Sequence, residues 1–265
     1  LQADPGLAAA ARQGDRPVQP PVRVRSLTVL GSCGAWPEAG RACAGFLLEY
    51  DGFRVVLDLG YAALPRLLEH CPHGEVDAVV VTHQHPDHCV DVSGLARVRY
   101  YEAPDADPIA LHSAPGVLDV LRALEPNPDP AEVFDVHDLA STTRIGPFDV
   151  LTVELPHYKT NLGVRLSAPG VSVAYTGDSG PSAELQKLAD GTDLFISDAT
   201  YQGSAATDPP YLMSATEAAH GARGAKRLLL THFWPGSDRA VSVREAQAVF
   251  DGEVVAADEG LTLVW

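Results

Sequence analysis

The chain has 265 residues, of which 46% are hydrophobic and 20% charged, enough to bury a sizeable core. Its formal net charge of -16 argues against broad nucleic-acid binding, because polyanions are repelled. No apolar run approaches the length of a membrane span, and the first residues lack a basic segment followed by an apolar core, so no membrane partner is expected. Cys33, Cys43, Cys71 and Cys89 are too few and too irregularly spaced for a disulfide framework. They read as reduced thiols of a cytoplasmic protein.

Residues 1–22 are rich in Ala, Gly, Pro, Gln and Asp without a sustained period, and read as an arm outside the main core. Residues 23–265 read as one domain. Val22 to Leu30 alternates as a first strand, broken by Gly31-Ser32-Cys33-Gly34, where two glycines permit either an ordinary turn or a close backbone approach. Ala44 to Tyr50 and Arg54 to Asp58 flank Asp51-Gly52, a strong hairpin signal. Leu64 to His70 reads as a short helix with Leu64, Leu67 and Leu68 on one face. Asp77 to Val81 is a short β-branched run of the kind buried on both faces of a sheet.

That strand delivers His83-Gln84-His85-Pro86-Asp87-His88 to a sheet rim. A helix is expected over Val90 to Tyr101, a strand over Ile109 to His112, a helix over Pro115 to Leu124 and a stiff loop over residues 126–130. Phe148 to Leu155, Leu162 to Ser167 and Val171 to Tyr175 read as a second group of strands, the last two joined by Pro169-Gly170. A helix (Ala183 to Ala189) and a buried strand (Asp193 to Ser197) follow. Ser214 to Ala225 reads as a helix with a Ser214/Glu217 capping box. Arg227 to Leu230 is another buried strand, and a helix (Val243 to Phe250) with two short strands completes the chain. The second half thus repeats the order of the first, which points to two sheets with helices outside both.

Three histidines and an aspartate within six residues exceed what a core requires, and they suit a metal such as zinc, which takes imidazole nitrogen and carboxylate oxygen. On an extended turn His83 and His85 can face one ion, while Asp87 and His88 turn towards a second. Further donors stand just after apolar strands, at His157, Asp178 and His232, where open sheets place functional groups. Taken together they predict a two-metal site. Asp58 and Asp198, each at a strand end, read either as groups that orient the ligands or as turn aspartates. Tyr61, Tyr100, Tyr101, Tyr158, Tyr201 and Trp234 read either as pocket lining or as packing beneath loops.

The motif, with His157, Gly177-Asp178 and Thr231-His232, resembles the metallo-β-lactamase superfamily from about Val24 to Trp265. That resemblance implies an α/β fold, a four-layer αβ/βα sandwich with two zinc ions at one edge of the sheets, manganese or iron being alternatives. It implies His83, His85 and His157 on the first ion, Asp87, His88 and His232 on the second, and Asp178 on both. Asp87 is also the candidate proton shuttle. Asp178 stands where the zinc β-lactamases usually hold a cysteine. Ser214-Ala215-Thr216-Glu217 and Leu228-Leu229-Leu230-Thr231-His232-Phe233, with Asn161, Gly163 and Arg165 after His157, are similar to the ribonuclease Z and phosphodiesterase branch. Two departures separate the chain from ribonuclease Z itself. Leu212 stands where that family has a histidine proposed as proton donor, with His220 as a substitute or simply a surface residue, and only 20 residues between His157 and Asp178 leave no room for a tRNA-gripping arm.

The expected activity is hydrolysis of a phosphodiester or related ester of a small-molecule substrate by a metal-bridged hydroxide. The alternatives are an acyl hydrolase (lactonase, thioesterase or β-lactamase-like), ribonuclease Z-like RNA processing, and a non-catalytic metal-binding scaffold. Homodimers are common in the similar family, so a homodimer is one expected state.

Overall fold

The computed structural model describes residues 24–203 and 210–265, so the arm expected over residues 1–22 lies outside the described residues. The first sheet is built from β1 (Arg25–Gly31), β2 (Gly45–Tyr50), β3 (Phe53–Leu59), β4 (Ala78–Val81), β5 (Ile109–Ser113) and β6 (Phe134–Asp138). Asp51 and Gly52 both have positive φ, 51° and 98°, as the two-residue hairpin between β2 and β3 requires. The second sheet holds β7 (Arg144–Ile145), β8 (Phe148–Leu155), β9 (Asn161–Ala168), β10 (Val171–Tyr175), β11 (Leu194–Asp198), β12 (Arg227–Thr231) and β13 (Glu253–Ala256). The last strand, β14 (Thr262–Val264), returns to the first sheet beside β1.

The strand orders are β14-β1-β2-β3-β4-β5-β6 and β13-β12-β11-β10-β9-β8-β7. In each sheet three antiparallel pairings are followed by three parallel ones. The repeat of order expected between the halves is therefore also a repeat of pairing. Helices α1 (Ala63–His70), α2 (Pro86–Glu102) and α3 (Val117–Leu124) accompany the first sheet, and α4 (Leu185–Ala189), α5 (Ala215–Gly221) and α6 (Arg239–Gln247) the second.

Side-chain alternation along the strands divides the core. Val173, Tyr175, Ile196 and Leu229 belong to the cluster between the sheets, with Phe46, Val55 and Leu57 of the first sheet. Their neighbours Ala174, Phe195, Leu228 and Leu230 turn outward to pack with α4, α5 and α6 through Leu185, Leu188, Ala218 and Ala246. Strands apolar on both faces thus separate two cores, and the layers run helix, sheet, sheet, helix. This is the expected αβ/βα sandwich.

Several boundaries differ from the sequence reading. Helix α2 starts at Pro86 instead of Val90, with Pro at its first turn, so Asp87 and His88 lie on a helix and not on an extended turn. Helix α5 ends at Gly221 rather than Ala225, and α6 starts at Arg239, capped by the Asp238 side chain. Strands β6 and β7 carry no apolar signature because each is a sheet edge with exposed positions. Among the described residues no helix is long and apolar enough to cross a membrane.

Candidate metal centre

The rim shared by the two sheets collects donors from both halves of the chain. His83 and His85 follow β4, Asp87 and His88 open α2, and His157, Asp178 and His232 follow β8, β10 and β12. Strands β10, β11 and β12 are parallel, and β8, antiparallel to β9 as β10 is, runs in the same sense, so the residues after β8, β10 and β12 arrive at one rim. The structure brings together all seven residues singled out in the sequence. One group is His83, His85, His157 and Asp178; the other is Asp87, His88, Asp178 and His232, and within each group one ligand atom per residue lies within 4.8 Å of the others.

Asp178 belongs to both groups, one oxygen to each. Its Oδ2 is 3.8 Å from His83 Nε2 and 3.8 Å from His157 Nε2. Its Oδ1 is 3.1 Å from His88 Nε2 and 3.1 Å from His232 Nε2. Asp87 Oδ2 closes the second group, 3.2 Å from His232 Nε2 and 3.6 Å from His88 Nε2. In the first group His85 presents Nδ1, 3.1 Å from both His83 Nε2 and His157 Nε2.

The outward nitrogens set which ring atoms carry protons. Thr82 Oγ1 donates its one hydrogen to Asp58 Oδ2 at 2.8 Å, so at His83 Nδ1, 3.2 Å away, it accepts. His88 Nδ1 donates to Asp58 Oδ2 at 2.7 Å, and His157 Nδ1 donates to the Tyr211 carbonyl at 3.0 Å. Thr200 Oγ1 gives its hydrogen to the His232 carbonyl at 3.1 Å and accepts from His232 Nδ1 at 2.9 Å. Four histidines therefore aim the Nε2 lone pair inward. Lone pairs facing one another at about 3 Å repel unless a cation or a proton lies between them.

Burial, then the neighbouring His88, holds His83 well below the usual imidazole range. Burial, followed by His157, lowers His85, and burial lowers His157 as well. Burial would also lower His88, but Asp178, Asp87 and Asp58 outweigh it and raise it well above the usual range. For Asp178 burial works upward and is overcome by His232 and His88, which hold it well below the carboxylate range. Asp87 is lowered in the same way, burial being overcome by His88 and His232. Yet His88 Nε2 and Asp178 Oδ1, though 3.1 Å apart, are both buried without a well-aligned hydrogen-bond partner among the described residues. His83, His85 and His157, which are held neutral, the ionised carboxylates and the orphaned inward atoms form a donor set that fits a bound metal, and a cation would take the place of the proton that the three carboxylates favour on His88.

Asp58 is buried and accepts from Thr82 N, Thr82 Oγ1, His88 Nδ1 and Tyr175 Oη, so it is one of the orienting groups. Asp198 acts one step further out. Its Oδ2 accepts from Met213 N at 2.9 Å and so fixes the segment that carries the Tyr211 carbonyl. Burial, reinforced by Asp178, raises Asp198 well above the carboxylate range. Ala35 N donates to Asp87 Oδ2 at 2.7 Å, a contact that sequence reasoning missed because a main-chain donor has no side-chain signature. The neighbouring glycines are the available clue. A Cβ on Gly34 would fall 2.6 Å from the His232 ring, and one on Gly31 1.8 Å from the Cys43 carbonyl, so the break after β1 is a close approach. Ala35, Asp58 and His232 all have positive φ (61°, 53° and 55°), local strain concentrated at this rim.

The aromatic residues separate into two sets. Tyr158 lies against His157 and His85, and Trp36, next to Ala35, pairs edge to face at 5.0 Å with Trp234, two residues after His232. Tyr100 and Tyr101 meet edge to face at the far end of α2, about 20 Å along the helix from His88. His220 lies exposed on α5 beside Pro181, Gln186 and Glu217, outside both ligand groups.

Comparison with known proteins agrees with this geometry. The family model described as "Beta-lactamase superfamily domain" matches residues 53–233. The uncharacterized protein Rv1339 of Mycobacterium tuberculosis is 32% identical over 247 residues, covering 88% of this chain and 90% of that protein. The probable metallo-hydrolase YhfI of Bacillus subtilis is 27% identical over 244 residues, covering 90% and 98%. Its crystal structure, described as a metallo-β-lactamase fold protein, superposes with a TM-score of 0.83 at 24% identity, covering 92% of this chain and 100% of that one. A ribonuclease Z of Haloferax volcanii is 26% identical over 297 residues, covering 89% and 93%. The chain belongs to the β-lactamase superfamily and is a hydrolase with the metallo-β-lactamase fold.

Proposed function

We propose that the chain is a dinuclear, zinc-dependent hydrolase of a phosphodiester or related ester in a small-molecule substrate. His83, His85 and His157 hold one ion, Asp87, His88 and His232 the other, and Asp178 is shared. The observation that carries this reading is the division of the Asp178 carboxylate, Oδ2 towards one histidine set and Oδ1 towards the other. Nitrogen and carboxylate donors without thiolate suit zinc and are compatible with manganese or iron. Bound metals of this kind supply a water of lowered pKa and polarise the substrate oxygen.

The chain's own residues do the rest. Asp58, Thr82, Thr200 and the Tyr211 carbonyl hold the imidazole rings in one tautomer. Ala35 N–H fixes Asp87, whose Oδ2 lies at the second group, where it can also take up or hand on a proton. Between His157 and Asp178 the chain runs only through the β9–β10 hairpin. That compactness, with the net charge of -16, supports a small substrate over a polynucleotide. RNA processing is the second reading, favoured by the similarity to the Haloferax ribonuclease Z.

The test measures bound metal and turnover in the wild-type chain, His85→Ala and Asp178→Ala. The substrates are bis(4-nitrophenyl) phosphate, a thioester panel and a precursor tRNA. Two ions in the wild type, loss of metal in Asp178→Ala and phosphodiester cleavage abolished by His85→Ala are expected. Full retention of two ions in Asp178→Ala would sink the shared-ligand assignment. Cleavage confined to thioesters or to tRNA would replace the substrate class.

A further inference from the structure

Tyr158 follows His157 directly, and the residue is 59% exposed although its ring is centred only 4.8 Å from the His157 ring and 6.1 Å from the His85 ring. His85 is half-buried, whereas His83 and His88 are buried. Tyr158 therefore borders the open side of the first ligand group. Behind it the Tyr211 ring packs at 4.5 Å with a 45° tilt. The Tyr211 backbone is held firmly. Its carbonyl accepts His157 Nδ1–H, Met213 N is tied to Asp198, and the Pro210 carbonyl fills the space beside Gly180, 1.9 Å from where a Cβ would stand. The two rings form a wall anchored through the Tyr211 backbone, while the centre beside them is lined by imidazole and carboxylate groups.

A large ring left uncovered beside a polar centre is informative, because burying its face against an apolar group is favourable and its few rotamers make ordering inexpensive in entropy. We propose that the face of Tyr158, backed by Tyr211, binds an apolar, ring-bearing part of the substrate while the scissile group lies at the Asp178-centred site. This rests on the hydrolase reading above and narrows its substrate class. Esters that carry a hydrophobic group next to the scissile one are preferred over small, wholly polar esters. The ring face makes the contact and the hydroxyl is dispensable.

Phenylphosphonate and methylphosphonate test this, since they share one anionic group and differ by the ring. Their affinities for the metal-loaded chain are compared by calorimetry in the wild type, Tyr158→Phe, Tyr158→Ala and Tyr211→Ala, with bound metal measured in each. The phenyl compound should bind about tenfold more tightly to the wild type and to Tyr158→Phe, the scale of one aromatic contact. The ratio should fall to within about twofold in Tyr158→Ala and to an intermediate value in Tyr211→Ala. Should Tyr158→Ala lose metal, Tyr158→Gln, which keeps bulk without a ring, makes the comparison. Equal or absent binding in the wild type, a preference intact in the ringless variants, or one already lost in Tyr158→Phe overturns the proposal. Failure of the hydrolase reading looks different: no ester is turned over while the phosphonate preference remains.

Discussion

Tyr175 Oη on β10 donates a 2.8 Å hydrogen bond to Asp58 Oδ2 at the end of β3, and so joins the second sheet to the first directly behind His88. Both side chains are fully buried. Burial, with Asp58 next to it, raises the Tyr175 phenol well above its usual range, so the hydroxyl remains a donor. Asp58 Oδ2 also takes the His88 Nδ1 hydrogen, and the tyrosine therefore acts on His88 through the carboxylate.

Removing that donor in Tyr175→Phe leaves the ring packing intact and one carboxylate lone pair unmatched. The expected results are a roughly tenfold loss of metal affinity, the lower end for outer partners of metal-binding histidines, and about 1–2 kcal/mol of stability. Chelator competition and urea unfolding measure the two. Unchanged metal affinity would show that Asp58 holds His88 without help from the second sheet.

Gly60 follows β3 where the chain passes under the first turn of α2. A Cβ there would stand 1.8 Å from the Asp87 carbonyl oxygen and 2.4 Å from its carbon, both backbone atoms. Relief requires the helix start to move, and Asp87 and His88 move with it. Gly60→Ala should lose metal and about 1–3 kcal/mol of stability, as overpacked sites do. Metal content equal to wild type in a folded Gly60→Ala chain would contradict the close approach.

What the sequence makes legible follows from how each signal is carried. Strands β4 and β12 are largely continuous apolar runs and β8 an alternating one, and the candidate donors are imidazole groups placed just after them, so His83, His157 and His232 stand out from their surroundings. Tyr175 does not, because a tyrosine in an apolar strand looks like packing until its buried hydroxyl is asked for a partner. Thr82 and Thr200 are equally silent, since their role depends on which atom donates. Strands β6 and β7 lie at sheet edges, where burial does not impose alternation. The start of α2 at Pro86 was open to inference from proline's fitness for a first turn, but the metal motif invites an extended reading of the same residues.

His112 lies buried on β5, stacked on His137 with ring centres 4.7 Å apart. Burial, with His137 beside it, lowers its pKa to about 4. In the unfolded chain it titrates near 6.5, so between these values the unfolded state binds a proton that the native state does not. Stability from this residue is complete above about pH 6.5 and falls as pH is lowered towards 4, by up to about 3 kcal/mol at about 1.4 kcal/mol per unit. The difference in urea stability between wild type and His112→Gln should therefore shrink or reverse from pH 7 to pH 4.5. A difference independent of pH would place the His112 titration in its ordinary range.

Thr200 offers the sharpest separation of the two ligand groups. Its hydroxyl hydrogen goes to the His232 carbonyl and its oxygen receives His232 Nδ1–H, which leaves the Nε2 lone pair for the second group. Thr200→Val keeps the shape and removes both bonds. The His232 ring can then protonate at Nε2 instead, and its backbone, already at φ 55°, loses a restraint. The first group, His83, His85, His157 and Asp178, includes neither residue. Titration with zinc should show one affinity retained and the other weakened about 10- to 100-fold, the range for loss of a partner behind a ligating histidine. Equal weakening of both would mean that Asp178 couples the two groups too tightly for either to be loaded alone.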